Sequence, residues 1–509
     1  MTDEQPTSRR AARQASETGA ANPATTASVD GTGEPAAAGP RGFRKHPTAW
    51  LLGAAGVVFL LLGTGAVFAG VASASGGPVA LPTPTQTTQP PRPVPTTVPA
   101  ASRLRTCSVA AYAVDPRLMN FEGTVVKADT GEVLFDRNGS TPSRTGSVMK
   151  VFTAGAALSA LGPDFQISTT VVEGSTPGTI VLVGHGDPTL SAGGPSVYSG
   201  APQLSDLAAQ AVANYATRHP GVPITQVVLD ASYWNPADKW DPSWKRTEQT
   251  IGYHSEVTAL MVDGDRANPA KQTSPRSTDP IGRAGAAFVN ALEAADNGAG
   301  VVAPSLTTST GTALGSAALL GEVKSQPVKV LIGQMLPNSD NTLGEMLARI
   351  VSKQSGFNGS AVSLQQAIPS ALSAPGFDVD PTGLTIRDGS GLSEFNGVPS
   401  TTMAKFMIKI WDGGNTLDII RNALPVAGKT GTLASRFKGD AADARGSVTA
   451  KTGWIDSAYT LSGMISAGDG TRLTFAFYAV GDGIKDNAKA ALDSLTAGAF
   501  RCGDNLSNN

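Results

Sequence analysis

Ser147-Val148-Met149-Lys150 is the segment from which this chain is best understood. A serine and a lysine three residues apart lie on one face of a helix, one turn from each other. In a dry pocket, an amine beside a hydroxyl loses its proton more readily and can then take the proton of the hydroxyl. The pattern therefore predicts a serine nucleophile that is activated by lysine rather than by histidine.

A buried helix is predicted directly after this segment, because apolar residues continue to Leu161 and Gly162-Pro163 then ends the helix. Ser147 would lie at the helix N-terminus, where N–H groups and the dipole favour a developing oxyanion. One S-x-x-K is weak evidence, since a second one runs from Ser435 to Lys438.

Composition excludes several classes of function. The chain has 509 residues, and 39 basic residues nearly balance 41 acidic ones, so nothing indicates a nucleic-acid partner. The four histidines do not have metal-ligand spacing and no H-E-x-x-H is present, so we expect neither a metal nor a cofactor. A G-x-S-x-G elbow is also missing, which leaves lysine as the base of a serine enzyme.

The N-terminal part predicts a membrane-anchored protein. Residues 1–45 have the composition of a disordered tail, residues 46–72 contain an uncharged run of membrane-spanning length, and residues 73–102 form a Pro/Thr-rich linker. Basic residues precede the span, which favours a cytoplasmic N-terminus and an extracytoplasmic remainder. Cleavage after Ala72-Ser73-Ala74 is the alternative.

The globular part is predicted to run from 103 to 504, with an insertion at about 163–330. The two cysteines of the chain, Cys107 and Cys502, lie at its two ends, where an oxidising compartment would favour a disulfide. Two unpaired thiols are the alternative. Alternating segments near both ends predict one antiparallel sheet, with the Ser147 helix packed against it; the segments are 123–127, 132–136, 447–453, 459–466 and 472–480. Residues 331–412 are mostly helical in pattern.

Two further motifs follow the S-x-x-K. Ser339-Asp340-Asn341 opens a helical pattern, and Lys451-Thr452-Gly453 ends a strand pattern. Taken singly, the first is a common helix N-cap and the second is a common strand end. In the order S-x-x-K, S-x-N, K-T-G, the three resemble the motifs of penicillin-binding proteins and class A β-lactamases.

Other stretches narrow the resemblance. From them the chain is identified as a member of the type-4 class of low-molecular-mass penicillin-binding proteins, which are D-alanyl-D-alanine carboxypeptidases and endopeptidases. The stretches, beside the triplet, are Gly186-Asp187-Pro188-Thr189-Leu190, Asp388-Gly389-Ser390-Gly391-Leu392-Ser393 and Leu424-Pro425-Val426-Ala427-Gly428. The resemblance covers about Arg103 to Cys502, and the long insertion is typical of the class.

The resemblance implies an α+β fold of the β-lactamase/transpeptidase type, with an antiparallel sheet flanked by helices, an all-helical lobe and an inserted domain. It also implies a serine DD-carboxypeptidase that cleaves peptidoglycan stem peptides through an acyl-enzyme on Ser147 and is acylated by β-lactams. A DD-endopeptidase activity stays open. A membrane-tethered peptidoglycan-binding protein with little turnover is the alternative.

The same resemblance implies a role for each motif residue. Lys150 is the base toward Ser147, Ser339 relays a proton to the leaving amine, and Asn341 holds the substrate amide. Lys451, Thr452 and Gly453 form the site of the terminal carboxylate. The N–H groups of Ser147 and Trp454 are the oxyanion hole.

The chain departs from the class at two places and offers a second K-T-G. Glu394-Phe395-Asn396 stands where the class has a basic residue before asparagine, and Trp454-Ile455 stands where it often has Thr-Leu. Lys429-Thr430-Gly431 also spells K-T-G. Pro425 and Gly428 precede that copy and weaken a strand, so Lys451 is the predicted site residue. Asp388 to Ser393 could be a site element or a structural turn only.

Overall fold

The computed structural model describes residues 104–509. The predicted tail, membrane anchor and linker all lie outside the described residues. Between residues 104 and 509, the helices are too short or too polar for any of them to cross a bilayer.

The strands of the described part are numbered in chain order. They are β1 (Cys107–Ser108), β2 (Asn120–Lys127), β3 (Glu132–Arg137), β4 (Pro142–Ser143), β5 (Ser168–Glu173), β6 (Thr179–Gly184), β7 (Ile224–Asp230), β8 (Val302–Thr310), β9 (Leu319–Lys324), β10 (Val398–Pro399), β11 (Val448–Ile455), β12 (Ala458–Ser466), β13 (Arg472–Val480) and β14 (Leu506–Ser507).

The α-helices of the same residues are numbered likewise. They are α1 (Ala110–Ala113), α2 (Met149–Ala160), α3 (Leu204–Arg218), α4 (Thr247–Ile251), α5 (Pro280–Asp296), α6 (Val328–Asn338), α7 (Asn341–Gln354), α8 (Leu364–Leu372), α9 (Ser400–Asp412), α10 (Asp418–Ala423) and α11 (Ala488–Cys502).

The main sheet joins strands from both ends of the chain. Its order is β11-β12-β13-β2-β3, and every neighbouring pair is antiparallel. Helix α9 packs on β2, β12 and β13, and α11 also contacts β12 and β13. The inner strands β12 and β13 are buried along nearly their whole length, as expected for a sheet covered on both faces. The predicted α+β fold with its antiparallel sheet is confirmed.

A disulfide between Cys107 and Cys502 joins the two ends of this part, with their Cα atoms 5.4 Å apart. Next to it, β1 and β14 form a short parallel pair, and Lys127 binds Asp504 with a 2.8 Å ion pair. The predicted disulfide is present. In the loop-entropy account, a cross-link across so many residues restricts the unfolded chain strongly.

Helix α2 is the centre of the helical lobe. It packs against α6, α7 and α8, and every residue from Met149 to Leu158 is buried. An apolar helix of this kind is held from all sides. The short 3₁₀ turn Gly146–Val148 leads into it. Ser147 is thereby fixed at the N-terminal end of a rigid helix, as the sequence predicts.

A second five-stranded sheet lies within the predicted insertion, in the order β8-β7-β6-β5-β9. β6, β7 and β8 run parallel, whereas β5 is antiparallel to both β6 and β9. The sequence pattern predicts strands at 167–173, 179–183 and 226–229 and a helix near 204–217, which correspond to β5, β6, β7 and α3, but it does not predict β8, β9 or α5. Most of β8 is exposed and rich in Ser and Thr, so it lacks the apolar alternation that marks a strand.

Candidate active site

The turn that carries Ser147 lies against β11 at very short range. A Cβ atom on Gly146 would lie 2.9 Å from the backbone nitrogen of Trp454, and one on Gly453 would lie 2.9 Å from the backbone nitrogen of Ser147. Gly146 also has a φ of +49°, which glycine adopts at little cost. Two glycines thus let the backbone nitrogens of Ser147 and Trp454 lie close together.

Lys150 is fully buried one turn from Ser147. Its Nζ donates to Ser147 Oγ at 2.9 Å, to Asn341 Oδ1 at 2.7 Å and to the Ser390 carbonyl at 2.5 Å. The 2.9 Å distance between Nζ and Oγ places Lys150 to exchange a proton with the Ser147 hydroxyl.

The S-x-N motif lies at the junction of α6 and α7. Ser339 ends α6 in the left-handed region, with φ 57°, and Asp340 caps α7 through a 3.0 Å bond from the Leu343 N–H. This geometry directs Asn341 toward Lys150. Within residues 104–509, the buried Asn341 Nδ2 has no hydrogen-bond partner. A buried amide donor of this kind is suited to a substrate carbonyl, because leaving it unpaired is costly.

Lys451 connects the second and third motifs. Its side chain is fully buried, and its Nζ donates to Ser339 Oγ at 2.9 Å and to the Thr452 carbonyl at 2.8 Å. The structure therefore brings Ser147, Lys150 and Asn341 into one hydrogen-bonded group and joins Ser339 to Lys451. Trp454 follows two residues after Thr452 on the same strand.

The other K-T-G copy lies on a separate segment beside β11. Lys429 is exposed in a turn that follows Ala427. The segment before it pairs with the first half of β11, since Ala427 N–H donates to the Val448 carbonyl and Ala450 N–H donates to the Pro425 carbonyl, both at 2.9 Å. Backbone groups of alternate residues face the same strand edge. The N–H of Trp454 therefore faces the same edge of β11 as the N–H of Ala450. Residues 425–427 cover that edge only near Val448 and Ala450.

Asp388 organises a loop that the sequence left undecided between a site element and a turn. Its carboxylate accepts hydrogen bonds from Gly391 N–H at 2.5 Å, Ser393 N–H at 2.6 Å and Trp244 Nε1 at 2.7 Å. The loop is thereby folded around one buried charge, and its Ser390 carbonyl points to Lys150. The stretch 388–393 is in direct contact with the predicted site.

A buried ion pair supports the same loop from α7. Glu345 accepts a 2.7 Å bond from the Gly389 N–H and a 2.8 Å bond from Arg349 Nε. Burial raises the pKa of Glu345 to about 7, against the opposing effect of the Arg349 guanidinium. Arg349 also pairs with Asp238 at 2.7 Å. No sequence pattern marks this pair as buried, because Glu and Arg four residues apart are common on exposed helix faces.

The inserted segment also holds the S-x-N motif. Arg266 pairs with Asp340 at 2.7 Å, both side chains being nearly fully buried, and Tyr198 donates a hydrogen bond to the same carboxylate oxygen at 2.9 Å. Burial alone would raise the pKa of Asp340, but Arg266 and Arg276 hold it well below its usual range. Residues far from the motif in sequence thus fix the position of Ser339 and Asn341.

A cavity of about 530 Å³ lies beyond the end of β11. It is lined on one side by Leu392 and Glu394 and on the other by Asp456, and Lys245 forms a 2.5 Å ion pair with Asp456. Arg144 lies 3.4 Å from Glu394. Glu394, which stands where the class has a basic residue, therefore lines this cavity and does not belong to the groups around Ser147.

Comparison with known proteins gives one family and several relatives. The model of the D-Ala-D-Ala carboxypeptidase 3 (S13) family matches residues 105–276 and 265–499. "Carboxypeptidase DacB" of Mycolicibacterium smegmatis is 32% identical over 405 residues, which cover 78% of this chain and 84% of that protein. "D-alanyl-D-alanine carboxypeptidase DacB" of Haemophilus influenzae is 23% identical over 408 residues, covering 68% and 82%.

The fold also matches a solved structure. The crystal structure of penicillin binding protein 4 (dacB) from Haemophilus influenzae superposes with a TM-score of 0.62 at 20% identity, covering 77% of this chain and 98% of that one. At this identity the match establishes the fold.

Proposed function

The chain belongs to the D-Ala-D-Ala carboxypeptidase 3 (S13) family, and from this premise we propose that Ser147 is the nucleophile through which it cleaves D-Ala-D-Ala peptides. The protein is a serine-type D-Ala-D-Ala carboxypeptidase, a hydrolase of peptidoglycan stem peptides that β-lactams acylate. The observation that carries the assignment of Ser147 is the 2.9 Å contact between its Oγ and the buried Lys150 Nζ.

The first half-reaction forms an acyl-enzyme. Lys150 takes the proton of the Ser147 hydroxyl while Oγ attacks the carbonyl carbon of the penultimate D-Ala, and the C=O electron pair moves onto the carbonyl oxygen. The backbone N–H groups of Ser147 and Trp454 stabilise this oxyanion. When the tetrahedral intermediate collapses, the C=O bond re-forms and the C–N bond breaks, and Ser339 relays to the leaving amine of the terminal D-Ala the proton that Lys150 took from Ser147. Water then hydrolyses the ester, which restores the Ser147 hydroxyl.

Two other contacts orient the substrate. Asn341 Nδ2 donates to a carbonyl oxygen of the stem peptide, in agreement with its unpaired buried donor. Lys451 supplies the positive charge that attracts the terminal carboxylate, with the Thr452 hydroxyl beside it. The arrangement selects a peptide that ends soon after the scissile bond.

Purified protein incubated with defined muropeptides tests the activity. We expect release of the terminal D-Ala from pentapeptides, identified by mass, together with covalent labelling by fluorescent penicillin. Cleavage of cross-linked dimers in the same assay would add a DD-endopeptidase activity. Labelling without product from any muropeptide would contradict the carboxypeptidase and favour the alternative of a peptidoglycan-binding protein with little turnover.

We also propose that residues 46–72 anchor the protein as a single-pass membrane protein, with its N-terminus cytoplasmic and its catalytic part extracytoplasmic. The uncharged run of this segment and the basic residues before it support the orientation. We expect the full chain to sediment with membranes and to be released by detergent, and a variant lacking residues 46–72 to stay in the supernatant. A mature N-terminus after Ala74 would contradict the anchor and indicate a cleaved leader.

A further inference from the structure

The terminal carboxylate of the substrate needs more hydrogen-bond donors than Lys451 offers. A carboxylate accepts several hydrogen bonds, and a lysine amine has three N–H bonds. Lys451 Nζ already gives two of them to protein oxygens, those of Ser339 and the Thr452 backbone. The Lys451 cation attracts the carboxylate from a buried position. Neutral hydrogen-bond donors nearer the protein surface must supply the other hydrogen bonds to the carboxylate.

Thr432 lies where such a donor is required. The Thr452 hydroxyl donates to Thr432 Oγ1 at 2.8 Å, so the two hydroxyls are adjacent. Thr432 is exposed and Thr452 is half-buried, which places the pair at the protein surface, next in sequence to the buried Lys451. Thr432 lies outside the three catalytic motifs, in the stretch that continues Leu424-Pro425-Val426-Ala427-Gly428, and this separate segment of the chain brings it to β11.

The turn that carries Thr432 is held rigidly. Thr432 is the middle residue of the 3₁₀ turn Gly431–Leu433, and the Leu433 carbonyl accepts a 2.9 Å bond from the Gly428 N–H. A Cβ atom on Gly431 would lie 2.9 Å from the Pro337 carbonyl oxygen, so the turn fits closely against the end of α6, two residues before Ser339. Hydroxyl donors on rigid elements bind an anion without a large ordering cost.

We propose that Thr432 is a further substrate-binding residue, whose hydroxyl binds the terminal carboxylate together with that of Thr452. This inference rests on the proposed function. Without substrate the two hydroxyls bond to each other, and when the carboxylate enters, each rotates to donate to one of its oxygens. The pair then selects peptides that end in a free acid over those that end in an amide.

Two variants and two peptides test the inference. Thr432→Val keeps the shape of the side chain and removes the donor, whereas Thr432→Ser keeps the donor. The peptides are identical except that one ends in a D-Ala carboxylate and the other in a D-Ala carboxamide. For Thr432→Val we expect kcat/KM to fall about tenfold with the acid, mainly through KM, and to stay unchanged with the amide. Thr432→Ser should behave as the wild type.

The outcomes separate this inference from the proposed function. An equal loss for both peptides in Thr432→Val, or no loss for either, would overturn the role of Thr432 while the carboxypeptidase stands. Failure of the wild type to release D-Ala or to react with penicillin would instead overturn the proposed function, and this inference with it. Because Thr432 is exposed, we expect both variants to fold as the wild type does, which thermal unfolding checks.

Discussion

Replacement of Ser147 by alanine is expected to abolish covalent labelling by fluorescent penicillin and release of D-Ala together. Both reactions begin with attack by the same Oγ, and alanine has no nucleophile. The change removes a single oxygen at a position that is 3% exposed, beside a helix whose packing does not depend on it. We therefore expect a melting temperature within a few degrees of the wild type, so that the loss reports chemistry and not unfolding.

The chain supplies a matched control for this variant. Ser435 begins the second S-x-x-K, but it is exposed, and it follows the Gly431–Leu433 turn rather than leading into a buried helix. Ser435→Ala should label at the wild-type rate. If Ser147→Ala also labelled normally, the nucleophile would have to be sought elsewhere and the proposed acyl-enzyme would be wrong.

Much of the fold follows from local pattern. β12 and β13 consist almost wholly of buried residues, and a turn at Asp469-Gly470 separates them, so periodicity and turn residues identify both strands. The same holds for α2, which is mostly apolar, with Lys150, Thr153 and Ser159 as its polar residues. Where a strand is polar, as β8 is, the pattern fails, because pairing with β7 and not its own side chains holds it in the sheet.

The sequence predicts only some of the groups around Ser147, because the others are brought there by contacts between distant parts of the chain. Short motifs identify Ser147, Ser339 and Lys451 because each chemical role requires a particular residue type. The residues that hold them were missed, since Trp244 reaches Asp388 and Arg266 reaches Asp340 across long stretches of chain. Nothing in the local sequence marks a tryptophan or an arginine as the partner of a distant carboxylate.

These contacts give the inserted segment a physical role beside the site. Trp244, Asp238 and Arg266 all lie between β5 and β9. Trp244 binds Asp388 and Asp238 binds Arg349, both of which support the 388–393 loop, and Arg266 binds Asp340, the residue between Ser339 and Asn341. Asp388 and Asp340 are fully or nearly fully buried, so a carboxylate without its partner would be costly to the fold. The insertion therefore helps to hold the residues of the site in position.

The two K-T-G copies lead to the second large expected effect. Lys451 is fully buried on β11, and its Nζ lies 2.9 Å from Ser339 Oγ, whereas Lys429 is exposed in a turn. A cation that binds a substrate carboxylate has to be held on a rigid element close to the nucleophile. Only Lys451 lies on a strand and contacts Ser339. Lys429 lies in an exposed turn, after the segment that pairs with the first half of β11.

We expect Lys451→Ala to lower the second-order rate of acylation by penicillin by about a hundredfold or more, the size expected when a buried charge-assisted contact is lost. Lys429→Ala should react at nearly the wild-type rate, because its side chain is exposed to solvent. Stopped-flow measurement of acylation on both variants, at equal folded concentration, decides between them. Because alanine at 451 also leaves a cavity, Lys451→Met supplies a second variant that fills the space without the charge, and it should be similarly slow. The opposite ranking would mean that Lys429, and not Lys451, supplies the cation that binds the carboxylate.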